Sequence, residues 1–244
     1  MEDGSFRYGA GALLLQALLL AGCDDRGAQG VPAEQANVPV NGAQAAAAPA
    51  ASVPQGPERL VLAFGDSLYA GYGLARGQSF PDGLQTALRS AGINATVVNA
   101  GVSGDTTAAG RQRLAFSLDN LKRTPDLVVL GLGGNDVLRQ IPPATTRENL
   151  KAMLDELKRR KIPVVLTGMM APPNLGADYA GAFNRIFPEL AEEYDAVLYP
   201  FVLNGVIGNP ALMQADRVHP NAKGVQQMVT RIAPVVTERL QRLD

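Results

Sequence analysis

Arg59 to Leu68 reads RLVLAFGDSL: an apolar run that stops at Gly65 and turns polar at Asp66-Ser67. A short run that is apolar at every position, not at alternate ones, marks a strand buried on both faces, as in a parallel sheet. The same pattern returns at Ala95–Asn99 (ATVVN), Asp126–Leu132 (DLVVLGL), Pro163–Thr167 (PVVLT) and, more briefly, Ala196–Tyr199 (AVLY). The segments between them carry helical spacing. Phe80–Ala91 places Leu84, Ala87 and Leu88 on one face and closes at Gly92, and Thr106–Leu121 does the same with Leu114, Leu118 and Leu121. Leu150, Met153, Leu154 and Leu157 form a third stripe, for which Thr145-Thr146-Arg147-Glu148 reads as a capping box. Asp178–Tyr194 is a further helix, and a last one starts near Asn221 with Val225, Met228, Val229 and Ile232, bending at Pro234. Such alternation predicts an α/β fold, a three-layer α/β/α sandwich with a mostly parallel five-stranded sheet, over residues 58–244.

In open sheets of this kind, ligands gather beyond the carboxyl ends of the strands. Polar clusters follow three strands there: Gly65-Asp66-Ser67-Leu68, Asn99 through Asp105, and Gly131 through Asp136. A fourth, Asp216-Arg217-Val218-His219-Pro220, lies between the fifth strand and the last helix. Ser67 is a candidate nucleophile, and a hydroxyl is weak until a base removes its proton. The chain has one His, so an imidazole base has to be His219. Pro220 disfavours helical backbone at His219 and leaves it on a turn. Asp216, three residues earlier, is placed to orient the other ring nitrogen, as in a Ser-His-Asp triad. Gly104 lets a backbone N–H approach closely, Asn135 carries an amide, and the Ser67 N–H is a third donor for an oxyanion. Taken singly, each cluster is ordinary turn chemistry. Together, in this order, they describe one site.

These residues resemble the GDSL, or SGNH, hydrolase superfamily, whose name lists its Ser, Gly, Asn and His. Gly65-Asp66-Ser67-Leu68 matches the first block, Gly104 and Asn135 the oxyanion donors, and Asp216 with His219 the Asp-x-x-His block. The likeness runs over residues 59–240, includes Ala70-Gly71-Tyr72-Gly73, and is closest to bacterial periplasmic acyl-CoA thioesterases, lysophospholipases and arylesterases. It implies a flavodoxin-like fold and a serine hydrolase of acyl esters and thioesters, with catalytic Ser67, Asp216 and His219. The oxyanion hole would be Ser67, Gly104 and Asn135, and no metal or organic cofactor would be needed. A glycan acetylesterase, or a non-catalytic lipid- or glycan-binding lipoprotein on the same fold, are the alternatives.

Other chemistries find no support. Gly131-x-Gly133 lacks the third glycine of a dinucleotide loop, because Asp136 occupies that position. No P-loop GxxxxGK[ST] occurs, and Tyr69 replaces the second glycine of an α/β-hydrolase elbow. One Cys excludes a disulfide framework within the chain, and one Cys with one His excludes the usual zinc sets. A formal net charge of −1 gives no broad basic field for nucleic acid. Loops near 74–80, 141–145, 169–179 and 203–213 are expected to wall an acyl pocket. Leu138, Ile141, Met170, Leu175 and Ile207 supply apolar surface there, and Tyr69 stands at its entrance.

The first residues read as an address. Tyr8–Leu20 (YGAGALLLQALLL) is shorter than the ~20 residues that span a bilayer and matches the apolar core of a secretory signal. Leu20-Ala21-Gly22-Cys23 resembles a bacterial lipobox, which makes 1–22 a signal peptide and Cys23 a lipidation site. The n-region departs from the pattern, with Glu2 and Asp3 against Arg7, and an ordinary cleaved signal is the other reading. Residues 23–57 are rich in Ala and Pro and poor in large apolar side chains, the composition of a flexible tether. Leader and tether hold two of the 22 basic residues (Arg7, Arg26) and five of the 23 acidic ones (Glu2, Asp3, Asp24, Asp25, Glu34). The remainder carries 20 and 18, a net of +2. The expectation is a periplasmic monomer, anchored to a membrane through Cys23, acting on a small acyl substrate and not on nucleic acid.

Overall fold

The computed structural model describes residues 53–243. The leader, Cys23 and nearly all of the tether expected from the sequence lie outside the described residues.

The chain alternates strand and helix: β1 (Arg59–Gly65), α1 (Ser67–Ala70), α2 (Phe80–Ser90), β2 (Ala95–Gly101), α3 (Thr107–Asp119), β3 (Leu127–Gly131), α4 (Gly134–Leu138), α5 (Pro143–Arg159), β4 (Val164–Thr167), α6 (Ala177–Tyr194), β5 (Val197–Tyr199) and α7 (Ala222–Gln241). A single 3-10 turn, Pro173–Leu175, precedes α6. The five strands form one sheet in the order β2-β1-β3-β4-β5, and every pairing is parallel. β1 lies between β2 and β3, in register with β2 from Arg59↔Ala95 to Gly65↔Gly101 and with β3 from Val61↔Leu127 to Gly65↔Gly131. This is the α/β/α sandwich the apolar runs predict.

The two-sided apolarity of the strands is used by alternation. Val61, Ala63, Leu127, Val129 and Val165 pack toward α2 and α7, against Leu84, Leu88, Met228 and Ile232. Leu62, Phe64, Val128, Leu130 and Leu166 face the other way, toward Leu114, Leu150, Met153, Phe183 and Phe187 of α3, α5 and α6. The side chains of Val61–Phe64 and Leu127–Leu130 therefore enter the two cores alternately, and all of them are buried.

Helix starts follow their side chains. Ser79 and Asp82 form a reciprocal capping box on α2, Thr106 accepts from the Ala109 N–H at the start of α3, and Asn221 accepts from the Lys223 and Gly224 N–H groups at the start of α7. The capping box expected at Thr145–Glu148 does not form. Helix α5 begins a turn earlier, with Pro142 at the N-cap and Pro143 in the first helical position, so these residues are already helical. Thr146 is fully buried, and its hydroxyl donates to Asp136 Oδ1 at 3.0 Å instead of capping a helix end. Helix α7 continues through Pro234 for all of its 20 residues.

Candidate active site

All four polar clusters meet at the carboxyl edge of the sheet. Gly65, Gly101 and Gly131 end three adjacent strands in register. Beyond β1 the chain turns directly into α1, capped by Asp66, whose Oδ1 accepts the Leu68 N–H at 3.0 Å. That cap fixes Ser67 as the first residue of α1, with its side chain facing outward from the sheet edge.

His219 comes from the opposite direction, on the turn before α7. The Gln214 N–H donates to the His219 carbonyl (2.8 Å), and an isolated bridge pairs Met213 with Pro220. Together they pin the turn's two ends. Inside it, Asp216 Oδ1 accepts the backbone N–H groups of Val218 (2.9 Å) and His219 (3.0 Å), and Oδ2 lies 2.6 Å from His219 Nδ1. His219 Nε2 lies 2.8 Å from Ser67 Oγ. With the ring proton on Nδ1, held by the carboxylate, Nε2 is left as the acceptor for the serine hydroxyl. The His219 backbone N–H and ring hold the Asp216 carboxyl down to about 2, so it stays ionised across the neutral range.

The oxyanion-donor candidates line the same space. Gly104 has φ +86°, a left-handed conformation that side chains rarely adopt, at the tip of the loop after β2. That loop is tied from three sides. Arg113 donates to Asp105 Oδ2 (2.6 Å) and to the Gly65 carbonyl (2.8 Å), with its guanidinium 3.9 Å over the Phe64 ring. Arg139 donates to the Gly104 carbonyl at 2.9 Å. Asn135 Nδ2 donates to the Asp105 carbonyl at 2.9 Å and reaches Asp66 Oδ2 at a long 3.4 Å. Next to it, Asp136 is fully buried and takes three bonds, from the Thr107 N–H (2.8 Å), the Thr107 hydroxyl (2.5 Å) and Thr146. Asp136 thus clamps α3, α4 and α5 together and sets the position of Asn135. Arg113 and Arg139 are not signalled by sequence pattern, since they reach back 48 and 35 residues to Gly65 and Gly104; Asp136 closes the Gly131–Asp136 cluster, but nothing there discloses its partners Thr107 and Thr146.

A cavity of about 700 Å³ opens over Ser67 and His219. Its walls come from the loops after β4 and β5, including Met170, Pro172, Leu203 and Ile207, together with Leu138. The 169–179 and 203–213 loops are where the sequence expects a wall; the 74–80 and 141–145 loops take no part. Ile141 instead offers its carbonyl to the Tyr179 hydroxyl (3.0 Å), and Leu175 packs beside the core of α5 and α6. Tyr69 is not at the entrance. Its ring is fully buried under the sheet edge, where a Cβ on Gly65 or Gly131 would lie within 2.6 Å of it, and its hydroxyl pairs with Thr167 Oγ1 at 2.8 Å. Tyr72 takes the exposed position, its ring 4.5 Å from the His219 ring.

Among the described residues, no cluster of three or more His, Cys, Asp or Glu has metal-ligand geometry, and no helix is long and apolar enough to cross a membrane. A hydroxyl, an imidazole and a carboxylate in hydrogen-bonded sequence beneath an apolar cavity are the equipment of a serine hydrolase. The chain belongs to the GDSL-like Lipase/Acylhydrolase family, which residues 63–227 match. It is 39% identical over 186 residues to the arylesterase of Vibrio mimicus, covering 76% of this chain and 92% of that one. It is 38% identical over 161 residues to thioesterase 1/protease 1/lysophospholipase L1 of Escherichia coli (strain K12), covering 66% of this chain and 75% of that one. The crystal structure of AlinE4, an SGNH-hydrolase family esterase, superposes with a TM-score of 0.65 at 56% identity, covering 76% of this chain and 98% of that one. The protein is a serine ester hydrolase.

Proposed function

We propose that Ser67, His219 and Asp216 form the catalytic triad and that the protein hydrolyses carboxylic esters and thioesters of apolar acyl groups. The observation that carries this reading is the unbroken hydrogen-bonded line from Ser67 Oγ through His219 to Asp216, at 2.8 Å and 2.6 Å, on the floor of the apolar cavity. Ser67 Oγ attacks the carbonyl carbon as its proton passes to His219 Nε2. The oxyanion is met by the Ser67 and Gly104 N–H groups and by Asn135, whose second amide hydrogen exchanges its long contact to Asp66 for the developing charge. Collapse breaks the C–O or C–S bond, and His219 returns the proton to the leaving atom. Water, deprotonated by His219, then attacks the acyl-enzyme and frees the carboxylic acid and Ser67. The names of the relatives, arylesterase and thioesterase/lysophospholipase, support aryl, thiol and glycerophosphoryl leaving groups. The triad is complete within one chain, so the proposed chemistry requires no second copy.

The test is a chain-length series of p-nitrophenyl esters with Ser67→Ala as control. Turnover falls by at least about 10³-fold in the variant, the residual rate coming from binding and the oxyanion donors alone. Turnover that survives Ser67→Ala overturns the assignment.

The organisation proposed for the whole chain is a lipoprotein signal over 1–22, an acylated Cys23, a tether to residue 57 and the hydrolase domain over 58–244, with periplasmic localisation. It rests on the lipobox-like Leu20-Ala21-Gly22-Cys23. Cys23→Ser is expected to abolish labelling by a fatty-acid probe and to shift the protein from the membrane to the soluble fraction. Unchanged labelling overturns it.

A further inference from the structure

Arg217 stands between Asp216 and His219, yet the triad makes no use of it. Its side chain is exposed at the rim of the 700 Å³ cavity, next to Val218, and among the described residues its guanidinium makes no ion pair or hydrogen bond. Its backbone is fixed: the N–H donates to the Gln214 carbonyl (3.0 Å), and φ is +57°, a conformation that is costly for a branched or long side chain. The nearest charge on its own turn, Asp216, is committed to His219 and Val218. The other guanidinium groups near the site are spent, Arg139 on the Gly104 carbonyl and Arg113 on Asp105 and the Gly65 carbonyl. Arg217 is therefore an exposed positive charge with no internal partner, carried on a held backbone at the mouth of an apolar cavity whose walls concentrate its field.

Its side of the site is also defined. His219 Nε2 delivers a proton to the leaving atom, so the leaving group departs past the imidazole and the acyl group occupies the remaining apolar space. Arg217 and Val218 sit on the imidazole's own turn, one and two residues before it. We propose that Arg217 is a specificity-determining residue that reads the leaving group and favours substrates in which it carries an oxyanion, carboxylate or phosphate, close to the scissile bond. This rests on the assignment of Ser67 and His219 above. A guanidinium suits the task because its planar fork pairs both oxyanions in bidentate fashion.

The experiment compares matched substrates on the full-length protein. One arm uses 3-carboxyphenyl butyrate against its neutral isostere 3-carbamoylphenyl butyrate; the other uses lysophosphatidate against the monoacylglycerol of the same chain. The wild type is expected to prefer the anionic member in kcat/KM, chiefly through KM. Arg217→Gln should reduce that preference by about three- to ten-fold at low salt while Arg217→Lys keeps part of it, and 0.5 M NaCl should erase most of it in the wild type. Loss of preference in either arm supports the proposal and shows which oxyanion is read. An unchanged anionic-to-neutral ratio in both arms, or an equal fall for both members of each pair, overturns it. Ser67→Ala is run alongside: turnover surviving there defeats the triad assignment, whereas a dead Ser67→Ala with an unchanged Arg217→Gln ratio defeats the Arg217 proposal alone.

Discussion

Two aspartates flank the proposed reacting groups, and their surroundings drive them in opposite directions. Asp66, one residue before Ser67, is 2% exposed under the sheet edge, and burial pushes its carboxyl up to about 6 against the pull of the Leu68 N–H. Asp216, three residues before His219, sits on an open turn, and three hydrogen bonds from His219 and Val218 hold it down to about 2. The residue type is the same in both places. What differs is that the turn offers Asp216 donors with little desolvation, while the floor desolvates Asp66 and returns fewer donors. The one held low is the one in contact with the imidazole, as the proposed proton-accepting role of His219 requires; the buried one serves as an N-cap and a wall for Asn135.

The strongest way to break that contrast is to neutralise each carboxylate. Asp216→Asn should lower kcat by about 10²- to 10⁴-fold, because the imidazolium loses its partner and the ring can adopt the wrong tautomer. Asp66→Asn keeps an acceptor for the Leu68 N–H and should cost about ten-fold or less. Steady-state kinetics on one p-nitrophenyl ester decides it; comparable losses would mean that the floor carboxyl orients the site as much as the turn does.

The second effect is on stability. Asp66 has a folded-state value of about 6, above its unfolded value of 3.8. The native state therefore holds a proton that the unfolded chain releases first. That contribution is fully present below about pH 4 and is lost as pH rises through 6, a swing of about 3 kcal/mol by neutrality. Urea midpoints for wild type and Asp66→Asn should converge at pH 4 and separate by pH 7.5, with the variant gaining. Asp216 has the opposite sign, favouring the fold above its unfolded value and losing that only in strong acid. Its exposure to solvent keeps the effect small. A wild type whose stability relative to Asp66→Asn does not fall between pH 4 and 7 would contradict the buried state of Asp66.

The same distinction, between local chemistry and long-range burial, divides what the sequence discloses from what it conceals. The strands are legible because a residue run apolar on both faces has few other uses, and their order with the helices dictates a parallel sheet. The Asp216–His219 spacing is legible because it acts within one turn. Helices α1 and α4, of four and five residues, are too short to show a period. The Thr145–Glu148 motif has the right letters for a cap but is overruled by a buried acceptor, Asp136, supplied from another element. Arg113 reaches back 48 residues to Gly65, and Tyr69 reaches forward 98 to Thr167. Nothing in the neighbouring sequence encodes those partners.

Tyr69 and Tyr72 carry this to its smallest measurable consequence. Three residues apart on the same segment, one is sealed beneath the strand ends and the other lies open against the His219 ring. Tyr72→Ala removes a face that keeps the imidazole in place and should lower kcat/KM by about three- to ten-fold with little change in the urea midpoint. Tyr69→Phe removes only a hydroxyl. Thr167 Oγ1 still has the Leu130 carbonyl as a partner at 3.3 Å, so the loss should be about 1 kcal/mol of stability with kcat near wild type. The two variants thus separate the readouts, activity for the exposed ring and stability for the buried one. A Tyr69→Phe enzyme with impaired turnover and an unchanged melting curve would return Tyr69 to the entrance of the pocket.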